Sequence, residues 1–245
     1  MKTRLGAALL ALLLAAGGSG QAFADPYDYV LIPYSEKGKF SLRYSAGVQD
    51  ERDESASGHA VALGYSPTDW WYTEFWASQE REGDGSLAYD GWYWSNQLHL
   101  FSGGRNDVSF YVSYWKPRPG TEGWNWTIGP MWQYSAQRFD FNLNLLVSRW
   151  VHPSFPQPPA RLSYQAQVKT LLAPGWEWGG QMYGDFGALA NPAPWRRQTH
   201  QIGPALFGHR ATDSAGVWSY DAALLFGLND ASPRSWLRAE VAYQF

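Results

Sequence analysis

The sequence predicts an all-β protein, an antiparallel transmembrane β-barrel of about twelve strands, with ten or fourteen as the alternative counts. Three observations lead there. Apolar residues recur at every second position in one segment after another, the spacing that lines one face of a strand. Where that pattern is clear the segments run to about nine to eleven residues, the length a tilted strand needs to cross a bilayer. Beyond the N-terminus no apolar run is long enough for a spanning helix, although the chain carries 15 Trp, 15 Tyr and 12 Phe in 245 residues.

The chain opens with MKTR and LGAALLALLLAAGGSGQAFA, a basic start, a short apolar run and a small-x-small end at Ala22-Phe23-Ala24. This is the pattern of a secretory signal peptide over residues 1–24, cleaved after Ala24. The run from Leu5 to Ala16 falls short of the roughly 18 apolar residues a membrane anchor needs. The next segment, DPYDYVLIPYSEKG at 25–38, reads as a periplasmic lead-in or a partial plug, and 39–245 as the barrel. The chain has no cysteine, so an exported protein of this size holds together without disulfides and offers no thiolate to a metal or a substrate. Its formal net charge of −3 argues against a nucleic-acid partner.

The strands follow in order. Phe40, Leu42, Tyr44, Ala46 and Val48 share the first apolar face, and Val61, Leu63 and Tyr65 the second. The segment from Trp70 to Gln79 is aromatic on both faces and resists phasing. Trp92, Trp94, Leu98 and Leu100 mark the fourth strand, Val108 to Tyr114 the fifth, and Trp124, Trp126, Ile128, Pro130 and Trp132 the sixth. The seventh is the clearest, with Phe139, Phe141, Leu143, Leu145 and Val147 against Asp140, Asn142 and Asn144: one face suits hydrocarbon, the other water. Leu162, Tyr164, Ala166 and Val168 form the eighth, and Trp176, Trp178, Met182 and Phe186 the ninth. The tenth, near His200 to Gly208, is weakened by Pro204, Ala205 and Phe207, before Trp218 to Phe226 and the closing SWLRAEVAYQF.

Connections alternate in length as barrel loops and turns do. DERDESASG, EREGDGS, KPRPGTEG, HPSFPQPPA, ALANPAPWRRQ and LNDASPR lie on one side, and SPTD, SGGRND, SAQR and LAPG on the other, with HRATDSAG too long for its place. Trp70, Trp71, Trp124, Trp126, Trp132, Trp176, Trp178 and Trp218 stand near the proposed turns, where indole rings favour the headgroup boundary and would form an aromatic girdle.

The last strand alternates through Val241 and Tyr243 to a terminal Phe245. In this it resembles the outer-membrane β-barrel proteins of Gram-negative bacteria, and more loosely uncharacterised proteobacterial barrels, some labelled as transporters of aromatic-compound degradation. The resemblance implies an outer-membrane location, contact with lipid and lipopolysaccharide, and recognition of Val241, Tyr243 and Phe245 by the barrel assembly machinery.

Twelve strands give a lumen between the side-chain-filled eight-stranded barrels and the porins of about sixteen strands. Arg43, Arg138, Asp140, Lys169, Glu177, Asp185, Asp221, Arg238 and Glu240 phase inward, either to screen a small solute or to stiffen the barrel as paired charges. The leading expectation is a narrow channel or small-solute transport or binding protein. A lipid-modifying enzyme in the same barrel is the alternative, and a soluble periplasmic carbohydrate-binding β-protein the second. No catalytic residue, metal ligand or cofactor site emerges: Ser148 and His152 share a face but lie about 13 Å apart along a strand. The oligomeric state is left open. Intact-mass measurement of the exported protein is expected to find a chain beginning at Asp25; one that retains residues 1–24 would contradict the cleavage.

Overall fold

The computed structural model describes residues 25–51, 54–83, 85–121, 123–212 and 216–245. The expected signal peptide lies outside the described residues. Twelve strands run in chain order, each antiparallel to the next: β1 (Phe40–Glu51), β2 (Glu54–Thr68), β3 (Trp71–Glu82), β4 (Ala88–Gly103), β5 (Asn106–Pro117), β6 (Trp124–Ser135), β7 (Phe139–Val151), β8 (Arg161–Ala173), β9 (Trp176–Ala188), β10 (Thr199–Ala211), β11 (Val217–Gly227) and β12 (Ser235–Gln244). The last pairs with the first, so the sheet is a closed barrel. The seam runs from Ser41 opposite Gln244 to Asp50 opposite Ser235. Phe40 and Phe245 extend it, exchanging backbone hydrogen bonds of 2.9 and 3.0 Å and stacking their rings at 5.9 Å.

Alternation divides inside from outside as expected. Leu42, Leu63, Phe75 and Leu237 are each more than half exposed on the outer wall, while their neighbours Ser41, Ala62, Glu74 and Arg238 are buried. In β4 a register shift between His99 and Phe101 breaks the alternation, leaving both Leu100 and Phe101 exposed. The structure also phases β3: Trp71, Thr73 and Phe75 point outward, Tyr72, Glu74, Trp76 and Ser78 inward.

The alternation of connections is sharper than the sequence suggested. On the side of the termini they are two residues at 69–70, 104–105 and 174–175, three at 136–138 and five at 212–216. The awkward HRATDSAG shortens because β10 extends into it as far as Ala211. On the far side they lengthen to nine residues at 152–160 and ten at 189–198. One expectation fails there: DERDESASG is not a long loop. Glu51 pairs with Glu54, so β1 and β2 continue as a hairpin through most of that acidic run, with Arg52 and Asp53 outside the described residues. Polar residues can extend a ladder beyond the apolar belt, where water replaces lipid.

The tryptophans are unevenly placed. Trp70, Trp71, Trp132, Trp176, Trp178 and Trp218 stand toward the terminal end, together with Phe40, Tyr65, Tyr243 and Phe245, while Trp124 and Trp126 stand toward the far end. Trp218 lies 4.7 Å from Tyr243 and Tyr114 lies 5.2 Å from Trp126, so both groups include ring contacts across strands.

Two strands carry the same Ile-Gly-Pro step. Pairing of β6 with β7 is interrupted between Ile128 and Met131, and pairing of β10 with β11 between Ile202 and Ala205, the register resuming unchanged each time. Pro130 and Pro204 lack an N–H to donate, so each opens the ladder on one side. The adjoining glycines let the neighbouring backbone come close: a Cβ on Gly129 would fall on the Leu145 carbonyl oxygen, and one on Gly203 on that of Leu224. Gly203→Val is therefore expected to destabilise the barrel by about 2 kcal/mol, read as a lower temperature of the heat-induced gel-mobility shift. An unchanged shift would show that the wall yields there at no cost.

Candidate functional site

The N-terminal segment lies inside the barrel and makes hydrogen bonds to widely separated strands. Trp236 of β12 donates its indole N–H to the Pro26 carbonyl at 2.9 Å, and Ser45 of β1 donates its hydroxyl to the Tyr27 carbonyl. Leu31 is held at both backbone groups: its N–H donates to Gln165 Oε1 of β8 at 3.1 Å and its carbonyl accepts from Asn144 Nδ2 of β7 at 2.8 Å. Nearer the terminal end, Ser35 donates to the Thr68 carbonyl at 2.8 Å. Gly47 supplies the room, because a Cβ there would fall on the Pro26 carbonyl.

Each apolar cluster in the lumen contains one buried residue of this segment, and Tyr29 packs against two of the three. Tyr27 packs with Ala60, Ala62 and Trp76. Val30 packs with Tyr183, Ala205, Phe207, Ala223, Leu225 and Trp236, and Leu31 with Met131 and Leu146. The inner wall is thus not uniformly polar, as a water-filled lumen would suggest. Its apolar patches lie where the segment touches it, and burial of such side chains contributes roughly 1.5–3 kcal/mol each.

Charges on the inner wall are paired beside these contacts. Arg43 Nε donates to Glu74 Oε1 at 3.2 Å, and its Nη1 reaches Glu240 across the β1–β12 seam. Its guanidinium also lies 4.6 Å from the centre of the Tyr29 ring, which ties the network to the N-terminal segment. Glu74, absent from the residues expected inside, is a hub: it also accepts from Tyr72 Oη at 2.6 Å, Trp76 Nε1 at 2.8 Å and Tyr29 Oη at 3.2 Å. Arg238, fully buried, donates to Gln181 Oε1 at 2.9 Å and pairs with Asp221.

The remaining charged residues fall into separate places. Lys169 pairs with Glu177 at 2.9 Å toward the terminal end, where Asp140 stands opposite Lys169 in the β7–β8 register. Asp185 pairs with Arg161 at 2.9 Å at the far end. Arg138 departs from the expectation: it sits exposed in the β6–β7 turn, one residue before the strand begins. Tyr164, which phases with the apolar outer face, is covered there. Its hydroxyl meets His200 Nδ1 at 2.9 Å over Gly184, and Trp195 from the β9–β10 connection stacks on His200 at 4.4 Å.

Above the N-terminal segment, in the half of the barrel with the long connections, a chamber of about 280 Å³ remains. Tyr27, Asp28, Tyr29 and Leu31 line it from the segment, and Asp90, Tyr93, Tyr111, Trp115, Asn125 and Tyr183 are among its wall residues. Rings follow one another along one side: Tyr27 to Tyr93 at 6.5 Å, Tyr93 to Trp115 at 5.8 Å, Trp115 to Trp150 at 5.3 Å, and Trp150 to Phe155 of the β7–β8 connection at 5.3 Å. Asp25 N–H donates to Asp28 Oδ2 at 3.1 Å. Burial pushes the Asp28 carboxyl upward, and the neighbouring Asp25 adds to it.

No family model and no curated protein matches the chain. Solved structures do. An outer-membrane channel from Pseudomonas putida F1 superposes with a TM-score of 0.59 at 12% identity, covering 90% of this chain and 98% of its own. The KdgM porin, solved with disordered oligogalacturonate, gives 0.54 at 8% identity over 84% of this chain and 98% of its own. The NanC porin gives 0.54 at 7% identity over the same shares. The fold is that of an outer-membrane channel. At these identities the likeness extends to the architecture alone, a single antiparallel wall of matching extent, and leaves the chemistry of the lumen to be read from this chain's own residues.

Removing the Arg43 guanidinium would strand two carboxylates that face each other in the lumen. Arg43→Met is expected to cost about 3–5 kcal/mol, measured as a lower urea midpoint of the folded barrel in lipid, with part regained in Arg43→Met/Glu240→Gln. Equal midpoints for the native protein and Arg43→Met would mean that the network carries no net stability.

Proposed function

We propose that this chain is an integral protein of the outer membrane, exported by cleavage after Ala24, that admits or binds a small solute through its lumen, with residues 25–38 serving as an internal plug. The observation that carries the reading is the chamber closed from the terminal side by Tyr27, Asp28, Tyr29 and Leu31. A solute arriving from the long-connection side meets a lined chamber first and the plug second. Hydrogen bonds donated by Trp236 and Asn144 and accepted by Gln165 hold the plug without a covalent link to the wall beyond β1. Such contacts suit a segment that shifts to let a solute by. The inward charges then divide the work: Arg43, Asp221, Arg238 and Glu240 brace the plug, and Lys169, Glu177 and Asp140 flank the exit.

The same reading assigns the outer tryptophans to the two headgroup boundaries, in contact with lipid and lipopolysaccharide. It assigns Val241, Tyr243 and Phe245 to recognition by the barrel assembly machinery, since the strand they end is the one that closes the seam. Replacing residues 27–31 by a Gly-Ser stretch of equal length tests the plug. Single-channel recordings should show low or intermittent conductance for the native barrel and a larger, steadier one for the variant. The same conductance in both would remove the plug.

A further inference from the structure

The outer wall carries a charge asymmetry that contact with hydrocarbon does not require. By register Arg81, Lys116, Arg149 and Arg210 lie on the outward face, where the strands carry a single carboxylate, Asp50, among the described residues. Arg81, Lys116 and Arg149 stand toward the long connections, and Arg210 toward the termini. Asp50 is near the end of β1, four strands from Lys116. Arg149 is exposed and pairs with no carboxylate among the described residues. The Lys116 ammonium donates to the Gly123 carbonyl at 2.7 Å, in the β5–β6 connection, and keeps two further N–H groups.

Beside these two cations the outer wall is a continuous run of rings. Phe75 stacks on Trp92 at 5.4 Å, Trp92 meets Tyr114 at 5.2 Å, and Tyr114 meets Trp126 at 5.2 Å and Trp124 at 6.2 Å. Lys116 stands opposite Trp92 in the β4–β5 register, and Arg149 opposite Trp126 in that of β6 and β7. The cations therefore flank the rings of β6, their backbones two strand spacings, roughly 10 Å, apart. A cation on the lipid face is costly at the bilayer midplane and tolerated at its boundary, where an anion or water can meet it.

Resting on the reading of the chain as an outer-membrane barrel with its long connections outside, we infer that the outward face of β4 to β7 docks a diphosphorylated glycolipid, the lipopolysaccharide of the outer leaflet. One phosphate lies against the Arg149 guanidinium, whose planar fork of N–H donors suits it, and the other against the Lys116 ammonium. The sugar core between them rests on Trp124 and Trp126. The acyl chains run down the row of Val112, Ile128 and Val147, which share one level on neighbouring strands. A headgroup with one phosphate meets only one of the two cations.

Native mass spectrometry of the refolded full barrel in detergent tests this, with three lipids as probes: hexa-acyl lipid A bearing both phosphates, the same lipid dephosphorylated, and dioleoyl phosphatidylglycerol. The barrel is expected to retain the diphosphorylated lipid about tenfold more than either of the others. Lys116→Gln/Arg149→Gln should remove most of that preference, and Arg210→Gln, at the terminal end, should leave it unchanged, with folding checked by the heat-induced gel shift. If the double variant does not fold, the three lipids on the native barrel decide. Equal retention of dephosphorylated lipid A or of phosphatidylglycerol would overturn the inference, as would a preference that survives in a folded double variant. A barrel that fails to insert into lipid vesicles would instead sink the outer-membrane reading, so the two fail separately.

Discussion

Everything in this barrel depends on the pairing of its last strand with its first. In hydrocarbon an unpaired backbone N–H or carbonyl costs several kcal/mol, so a sheet that crosses a membrane has to close. The seam does so through β1 and β12, and Phe40 and Phe245 add a backbone exchange and a ring stack at its terminal end. Arg43 and Glu240 then bridge the same seam from inside. The first and last strands, most distant in sequence, are therefore joined by backbone, aromatic and ionic contacts at once.

Closure creates an interior, and the interior is where this chain departs from a simple water-filled tube. The N-terminal segment brings Tyr27, Val30 and Leu31 into it, and the wall answers with Trp76, Leu225, Trp236, Met131 and Leu146. Polar groups fill the space between: Asn144 and Gln165 hold the two backbone groups of Leu31, and Trp236 the Pro26 carbonyl. The lumen has in effect a small protein core on one side and a lined chamber on the other.

That division explains what could be read from the sequence. β7 was plain because Asn142 and Asn144 face polar partners and Phe141 and Leu143 face outward, so chemistry and geometry alternate together. β3 was opaque because Tyr72 and Trp76 serve the interior while Phe75 serves the exterior, which leaves aromatics on both faces. Glu74 held the missing clue: a carboxylate amid rings cannot face lipid, and placing it inside phases the whole strand. Tyr164 looked like an outward residue and is one by register, but the folded β9–β10 connection covers it. The ends of β1 and β2 escaped notice because apolar alternation stops where lipid stops, whereas hydrogen-bonded pairing does not. Which carboxylates meet an arginine was not legible at all, since it depends on partners far apart in the chain.

The two Ile-Gly-Pro steps give the wall a mechanical character. A cylinder laced at every rung resists bending evenly, but one with interrupted rungs concentrates strain at the gaps. The gaps between β6 and β7 and between β10 and β11 set off a panel of four strands, β7 to β10. That panel carries the two longest connections, at 152–160 and 189–198, and the former lays Phe155 on Trp150 at the mouth. The circumference is thus laced unevenly, and the panel between the two gaps is the part of the rim from which both long connections rise.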